Sequence, residues 1–347
     1  MPQVRALSGL VVTLVAVFAC SSARADNSKI EHPNLNFVVA GTSSTIYFTI
    51  PALARSLGYF KDEGLNVEWI DSGSGAKGLQ ALVGGSADVV TGSYEHTIHM
   101  QAKGVSIVSI AAHNESTGNA MGVSRAKAAT MKNGVPDLKG ATIGISGPGS
   151  STDMFAKIVI ENTGIKRDDV SYIAVGTSSA AVAALRGGKV DAVSNVDPVI
   201  SELVNSGDMI LIADGRNAEG AKKVYGGSFA AGCTYVTAEF LAKYPNTVQA
   251  IANAIVRTIV WLRTADPDKI IATLPPQFSA ANPQLYKQSL LANIDGFSKT
   301  GRISKESAET VLRNVVRFDP SIDPSKIDLS KTYTNQFVDA AMKKYGP

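Results

Sequence analysis

Apolar and polar positions along this chain alternate in short blocks, and one of the block patterns is written twice. Leu35–Ala40 is an apolar, β-rich run that stops at Gly41, the pattern of a buried strand. After the polar Thr42-Ser43-Ser44-Thr45, apolar positions at Phe48, Leu53, Ala54 and Leu57 follow a helical period as far as Gly58. Further strands are predicted at Asn66–Ile70, Gly104–Ala111, Met121–Ser124, Ala141–Ile145, Ser171–Val175 and Met209–Ala213, and Phe229–Thr237 reads as apolar and extended. Met154–Asn162 reads as a helix ended by Gly164. From Ala238 the texture becomes helical, with helices predicted at Pro245–Thr264, Pro283–Asn293, Lys305–Val316 and Tyr333–Lys344. The turns Asp319-Pro320 and Asp323-Pro324 separate the last two.

The repeated block is ALVGGSADVV at Ala81–Val90 and ALRGGKVDAV at Ala184–Val193. It extends upstream without a gap, pairing Val67 with Val170, Trp69 with Tyr172 and Gly73 with Gly176. Each copy reads as strand, Gly/Ser loop, short helix, Gly-Gly stop, strand. A plan used twice, in units this long, predicts two α/β lobes facing each other rather than a solenoid of many short repeats. Alternating strands and helices predict largely parallel sheets covered on both faces.

Composition narrows the class. The chain has 347 residues, 45% of them hydrophobic, enough for a sizeable core. A formal net charge of +3 without a basic run argues against nucleic-acid binding. Arg5, the apolar stretch Leu10–Cys20 and Ala23-Arg24-Ala25 form the sequence of a secretory signal, with Asp26 as the new N-terminus and a lipoprotein at Cys20 as the alternative. Cleavage there leaves Cys233 as the lone cysteine, so no disulfide can staple the fold.

In open α/β sheets, ligands bind beyond the carboxyl ends of strands. Those ends carry hydroxyls and glycines here: Thr42, Ser43 and Ser44; Ser74 and Gly75; Ser93 and Tyr94, with His96 at the start of the next helix; Gly149, Ser150, Ser151 and Thr152; and Asn195 and Asp197. Gly227 completes the expected set. Such loops at helix N-termini suit a small anion held by backbone N–H groups. Capping alone explains any one of them, whereas their convergence in two repeated halves points to a shared site.

Other motifs do not carry chemistry. Gly73-Ser74-Gly75-Ala76-Lys77-Gly78 fits a dinucleotide fingerprint, but Gly84-Gly85 cuts the following helix short. Ser124-Arg125-Ala126-Lys127 and Lys299-Thr300-Gly301 echo a serine acyl-enzyme set whose third motif falls in the wrong order. His96, His99 and His113 lack the spacing and the cysteine partner of a metal site. Asp88 and Asp191 occupy equivalent positions before strands, which favours a turn role. No nucleophile–base–orienter set is present, so no cofactor and no catalysis are expected.

The run Ile50-Pro51-Ala52, Gly58-Tyr59-Phe60-Lys61-Asp62-Glu63-Gly64-Leu65, then Ala81-Leu82 and Gly84-Gly85-Ser86-Ala87-Asp88, resembles the solute-binding proteins of nitrate/sulfonate/taurine-type ABC importers, a family that includes thiamine-pyrimidine-binding proteins. Asp137-Leu138-Lys139-Gly140 before a strand, followed by Gly149-Ser150-Ser151, is similar to that family's second-lobe anion loop. Asn195-Val196-Asp197-Pro198 lies where sulfonate and taurine binders carry Trp-Asp-Pro, and Val196 departs from that pattern. The resemblance implies a type II periplasmic-binding-protein fold, two α/β lobes joined by a two-strand hinge, that closes on a small-molecule ligand. It implies a monomer in the periplasm that serves an ABC permease in the inner membrane. The expected organisation is a signal peptide at 1–25, lobe I from 26–122 and 235–347, and lobe II from 123–234, with Met121–Ser124 and Thr234–Thr237 as the crossing strands. The expected ligand is a small organic anion, sulfonate- or carboxylate-like. A thiamine-pyrimidine-type binder of a neutral heteroaromatic, an enzyme-like relative on the same fold and a ligand sensor remain as alternatives.

Overall fold

The computed structural model describes residues 30–130, 137–279 and 282–347. The expected signal segment, with Cys20 and the cleavage point before Asp26, lies outside these residues. Among the described residues, no helix is long and apolar enough to cross a membrane.

Among the described residues, ten strands form two sheets. They are β1 (Asn34–Val39), β2 (Asn66–Asp71), β3 (Val89–Ser93), β4 (Ile107–Ala112), β5 (Asn119–Ser124), β6 (Thr142–Ile145), β7 (Ser171–Ala174), β8 (Ala192–Val196), β9 (Met209–Asp214) and β10 (Gly232–Thr237). The helices of the first half are α1 (Thr49–Ser56), α2 (Tyr59–Asp62), α3 (Gly75–Val83), α4 (Glu95–Ala102), α5 (Arg125–Ala128), α6 (Ser151–Asn162), α7 (Ser179–Arg186), α8 (Val199–Asn205) and α9 (Ala218–Tyr225). The C-terminal helices are α10 (Ala238–Lys243), α11 (Pro245–Leu262), α12 (Pro267–Thr273), α13 (Pro276–Ser279), α14 (Pro283–Asn293), α15 (Lys305–Phe318) and α16 (Gln336–Tyr345).

One sheet runs β2-β1-β3-β10-β4 and the other β7-β6-β8-β5-β9. In each, four of the five strands point the same way, and the remaining one, β10 or β5, is wedged between two of them and runs antiparallel to both. The two orders are the same plan, with β1, β2 and β3 of lobe I matching β6, β7 and β8 of lobe II. The antiparallel strand of each sheet is the one with which the chain enters that lobe from the other. This corrects the expected lobe boundaries. Met121–Ser124 lies within β5 and pairs with β8 and β9. Thr234–Thr237 lies within β10 and pairs with β4 and, through Tyr235, with β3. The crossings therefore lie within 113–118, between β4 and β5, and within 215–231, of which α9 itself packs on β9 and α6 of lobe II. Apolar, extended sequence marked these strands correctly, but a strand that enters a lobe and one that leaves it look alike in sequence.

The repeat has a physical reason. Gly85 and Gly188 adopt positive φ, 75° and 68°, and turn α3 and α7 back toward the sheet. Asp88 then accepts the backbone N–H of Asn36 at 2.8 Å, and Asp191 that of Thr142 at 2.8 Å. The same carboxylate thus ties β3 to β1 and β8 to β6, serving an N–H that lies outside the strand ladder.

Burial follows the pleat. Phe37 and Val39 on one face and Val38 on the other are all buried, as a central strand covered on both sides requires. Leu53, Ile251 and Ile255 pack the outer side of lobe I, where α11 lies against α1 and α16. Glu63 accepts from Arg257 and Asn253 on α11 and from Tyr345 at the end of α16, fastening the C-terminal helices to lobe I. In contrast, α15 packs against α4 of lobe I and α6 of lobe II.

Replacing Asp191 with alanine is expected to strand the Thr142 N–H and cost about 1–3 kcal/mol of stability. Denaturant unfolding checks this; an unchanged midpoint would reduce the repeated aspartate to a turn former.

Candidate functional site

The carboxyl ends of the parallel strands of both sheets meet where the lobes touch. Thr177 Oγ1 donates to Thr42 Oγ1 at 3.0 Å, and the Ile46 N–H donates to the Asp197 carbonyl at 3.0 Å. A Cβ added to Gly147 would lie 3.3 Å from the Ser74 side chain, and one added to Gly75 would lie 3.6 Å from Ser150. Glycine at these positions lets two loops from opposite lobes come into contact.

Between them is a cavity of about 20 Å³, room for a single water. Its walls are Ala40, Tyr47, Phe48, Gly75 and Ser93 from lobe I and Ser146, Ser150, Ser151, Thr152, Thr177 and Val196 from lobe II. Ser146, Ser150 and Thr152 form a triangle of hydroxyls with sides of 2.8–2.9 Å. Ser150 caps α6 by accepting from the Asp153 N–H, so the triangle sits on the positive end of a 12-residue helix. Across the cavity, Tyr47 and Ser93 share a hydrogen bond of 3.0 Å. Among the described residues, no lysine or arginine lines the cavity. Recognition there rests on hydroxyls, N–H groups and the helix dipole.

Beside the cavity, Glu95 opens α4 with a side chain only 2% exposed. Burial pushes its carboxyl up to about 7 from an ordinary 4.5, opposed by its own backbone N–H and by Ser93. The Ser93 hydroxyl shares its hydrogen bond with Tyr47, and among the described residues Glu95 Oε1 has no hydrogen-bond partner. His96 Nδ1 lies 3.0 Å from the Tyr235 hydroxyl, and burial pulls the ring down to about 3, so it is neutral. Its Nε2 has no hydrogen-bond partner among the described residues. His96 also lines a chamber of 640 Å³ whose other walls include Leu79, Val83, Met100 and Phe318. The larger space is mainly apolar but also meets Gln80, His99, Lys103 and Asp319, whereas the smaller one is ringed by hydroxyls.

The model of the family described as NMT1/THI5 like matches residues 45–270. The chain belongs to the NMT1/THI5-like family. It is 40% identical to a Bordetella bronchiseptica RB50 protein of known structure, covering 92% of this chain and 100% of that one with a TM-score of 0.88. It is 24% identical over 261 residues, 73% of each chain, to a protein of Bacillus subtilis (strain 168) named for aliphatic-sulfonate binding. The alkanesulfonate-binding protein of Xanthomonas axonopodis pv. citri, solved with MOPS bound, superposes with a TM-score of 0.69 at 18% identity, over 87% of this chain and 98% of that one. The two mixed α/β sheets with their covering helices are the type II periplasmic-binding-protein fold of these structural neighbours.

Within this NMT1/THI5-like fold, the expected site residues divide. Gly75, Ser93, Ser150, Ser151 and Thr152 line the cavity, and Ser74, Thr42 and Gly149 stand at its edges. Ser44 is half-buried in the loop after β1 but outside the lining. The other residues point elsewhere. Ser43 donates to Asp71 through both its N–H and its hydroxyl. Tyr94 turns into lobe I and meets the Thr332 hydroxyl at 2.6 Å. Asn195 donates to the Gly176 carbonyl and accepts the Val196 N–H. Asp197, fully buried, accepts from Ser201, Asn293 and Arg216 and does not line the cavity. Gly227 packs against Thr310 of α15. Tyr47, Phe48, Ser146, Thr177 and Val196 were not among the expected residues. Tyr47 sits inside a helical pattern that reads as core, and Ser146 follows a strand by one position.

The raised carboxyl of Glu95 makes a pH dependence testable. The unfolded chain ionises near 4.5 and the folded one near 7, so the favourable contribution is complete below 4.5 and lost as pH rises to about 7. Between those limits the ligand-free protein should lose on the order of 3 kcal/mol relative to Glu95→Gln. Unfolding of both proteins across pH 4–8 measures it, and parallel stability curves would contradict it.

Proposed function

We propose that this protein is the extracytoplasmic solute-binding component of an ABC importer. It captures a small organic anion, sulfonate- or carboxylate-like, between its lobes and presents the closed form to a membrane permease. The observation that carries this reading is the hydroxyl triangle of Ser146, Ser150 and Thr152 on the N-terminus of α6, facing Gly75 and Ser93 across the lobe boundary. Hydroxyls and helix N–H groups can surround an oxyanion without a formal countercharge. The resulting affinity suits a protein that must also release its cargo.

Closure is part of this reading. A cavity of about 20 Å³ cannot admit an organic anion unless the lobes separate. The crossings at 113–118 and 215–231 let two rigid bodies rotate. Relatives named for aliphatic-sulfonate and alkanesulfonate binding support a binding role over catalysis. The location outside the cytoplasmic membrane rests on the signal-like N-terminus and on the family.

Two serines separate binding from capping. Ser150 caps α6, whereas Ser151 is the helix's first residue, makes no cap bond, and also lines the cavity. A thermal-shift panel of ethanesulfonate, propanoate and nitrate supplies the ligand. Ser151→Ala should then weaken binding by about 1–3 kcal/mol with an unchanged ligand-free melting temperature. Ser150→Ala should lower that melting temperature as well. Calorimetry in which Ser151→Ala binds like the parent would contradict the proposed anion site.

A further inference from the structure

His96 is 1% exposed and belongs to the wall of the 640 Å³ chamber, not to that of the small cavity. The two spaces share no lining residue. Gly75 touches both sides of the partition between them: a Cβ there would lie 3.0 Å from His96 Cε1, 3.3 Å from its Nε2 and 3.6 Å from the Ser150 side chain. The proton on the His96 ring can be assigned. The Tyr235 hydroxyl is fully buried and has one hydrogen-bond partner among the described residues, His96 Nδ1 at 3.0 Å. A buried phenol with a single partner donates to it, because accepting would leave its own proton unpaired. Nδ1 is then the acceptor, and the neutral ring carries its hydrogen on Nε2. That N–H is buried and has no partner among the described residues. Leaving such a donor unpaired is costly, and it calls for an acceptor from outside the chain.

The chamber sets the rest of that molecule's chemistry. Its volume is that of a small-molecule site. Leu79 and Val83 of α3, Met100 of α4 and Phe318 at the end of α15 make its walls mainly apolar. Lys103 and Asp319 are of opposite sign, and burial draws His99 down to about 4, which leaves it neutral. The lining therefore has no net charge for an occupant to neutralise, and a charged occupant would lose its hydration without compensation.

The walls also come from both lobes. Helices α3 and α4 belong to lobe I, and Pro148 and Gly149 to lobe II. The end of α15 is held to lobe II where Arg317 Nε meets Glu161 Oε2 at 2.9 Å. Separating the lobes takes the chamber apart, so an occupant favours the closed form. We infer that the chamber is a second ligand site, for an uncharged apolar molecule that offers a carbonyl or ether oxygen to His96 Nε2–H and holds the lobes closed. In the solute-binding reading, this occupant and the solute each tighten the other's binding.

Acetophenone and α-methylstyrene test the site, because they share a shape and differ in C=O against C=CH2. Titrated into the solute-free protein carrying isotope-labelled histidine, acetophenone should bind saturably and shift the His96 Nε2–H resonance. Val83 is 47% exposed at the chamber's edge, so Val83→Trp should fill the chamber without disturbing the fold and weaken both probes roughly tenfold. His96→Phe should weaken acetophenone roughly three- to tenfold and leave α-methylstyrene unchanged. The resonance shift and Val83→Trp keep the test in force if His96→Phe fails to fold. Scattering with acetophenone at saturation should show the closed form. Absence of saturable binding, or binding that leaves the His96 resonance in place, would overturn the site, and an expanded profile with acetophenone bound would overturn its hold on the lobes. No solute enters these experiments, so their failure is distinct from failure of the anion site.

Discussion

Each lobe of this protein is completed by a strand from the other side of a crossing: β5 enters lobe II between β8 and β9, and β10 returns to lobe I between β3 and β4. An antiparallel strand wedged between two others cannot be withdrawn without breaking two ladders, so both crossings are anchored at each end. The positions of the remaining elements depend on this. The returning β10 lies beside β3, whose last residue is Ser93, and the entering β5 opens with Asn119 beside α6.

Asp197 shows how much polar chemistry maintains this arrangement instead of binding a ligand. Its carboxylate, fully buried, collects Ser201 of lobe II, Arg216 of the return crossing and Asn293 of α14. Arg216 is also bound by Asp214. A buried carboxylate with several donors is stable only while all of them stay in place. The triangle on α6 is different in kind. Its hydroxyls bond mainly to one another. Hydroxyls can rotate their protons toward an incoming acceptor, whereas the Asp197 cluster has no such freedom.

Much of this was legible in the residues. The doubled ALVGGSADVV and ALRGGKVDAV blocks gave two lobes of one plan, because a Gly-Gly stop and an aspartate that ties neighbouring strands leave a mark at a fixed spacing. The loop at Gly149–Thr152 was legible for a similar reason, as a helix cap has a local signature. Other features were not. The lobe boundary was misplaced because strand sequence does not record which sheet it joins. Tyr94 and Asp197 looked like ligand contacts because they end strands, yet their partners, Thr332 and Arg216, are distant in sequence or on another element. Tyr47 was hidden in an apolar helical period, and its hydroxyl has a role only through Ser93.

The central claim is that the two lobes open and then close over a ligand in the cleft between them. Small-angle X-ray scattering of the protein, alone and with a saturating ligand from the binding screen, tests it most directly. The account predicts a ligand-free radius of gyration larger than that of the closed structure, falling to the closed value on saturation. A ligand-free profile that already matches the closed structure and does not change when ligand saturates would contradict it.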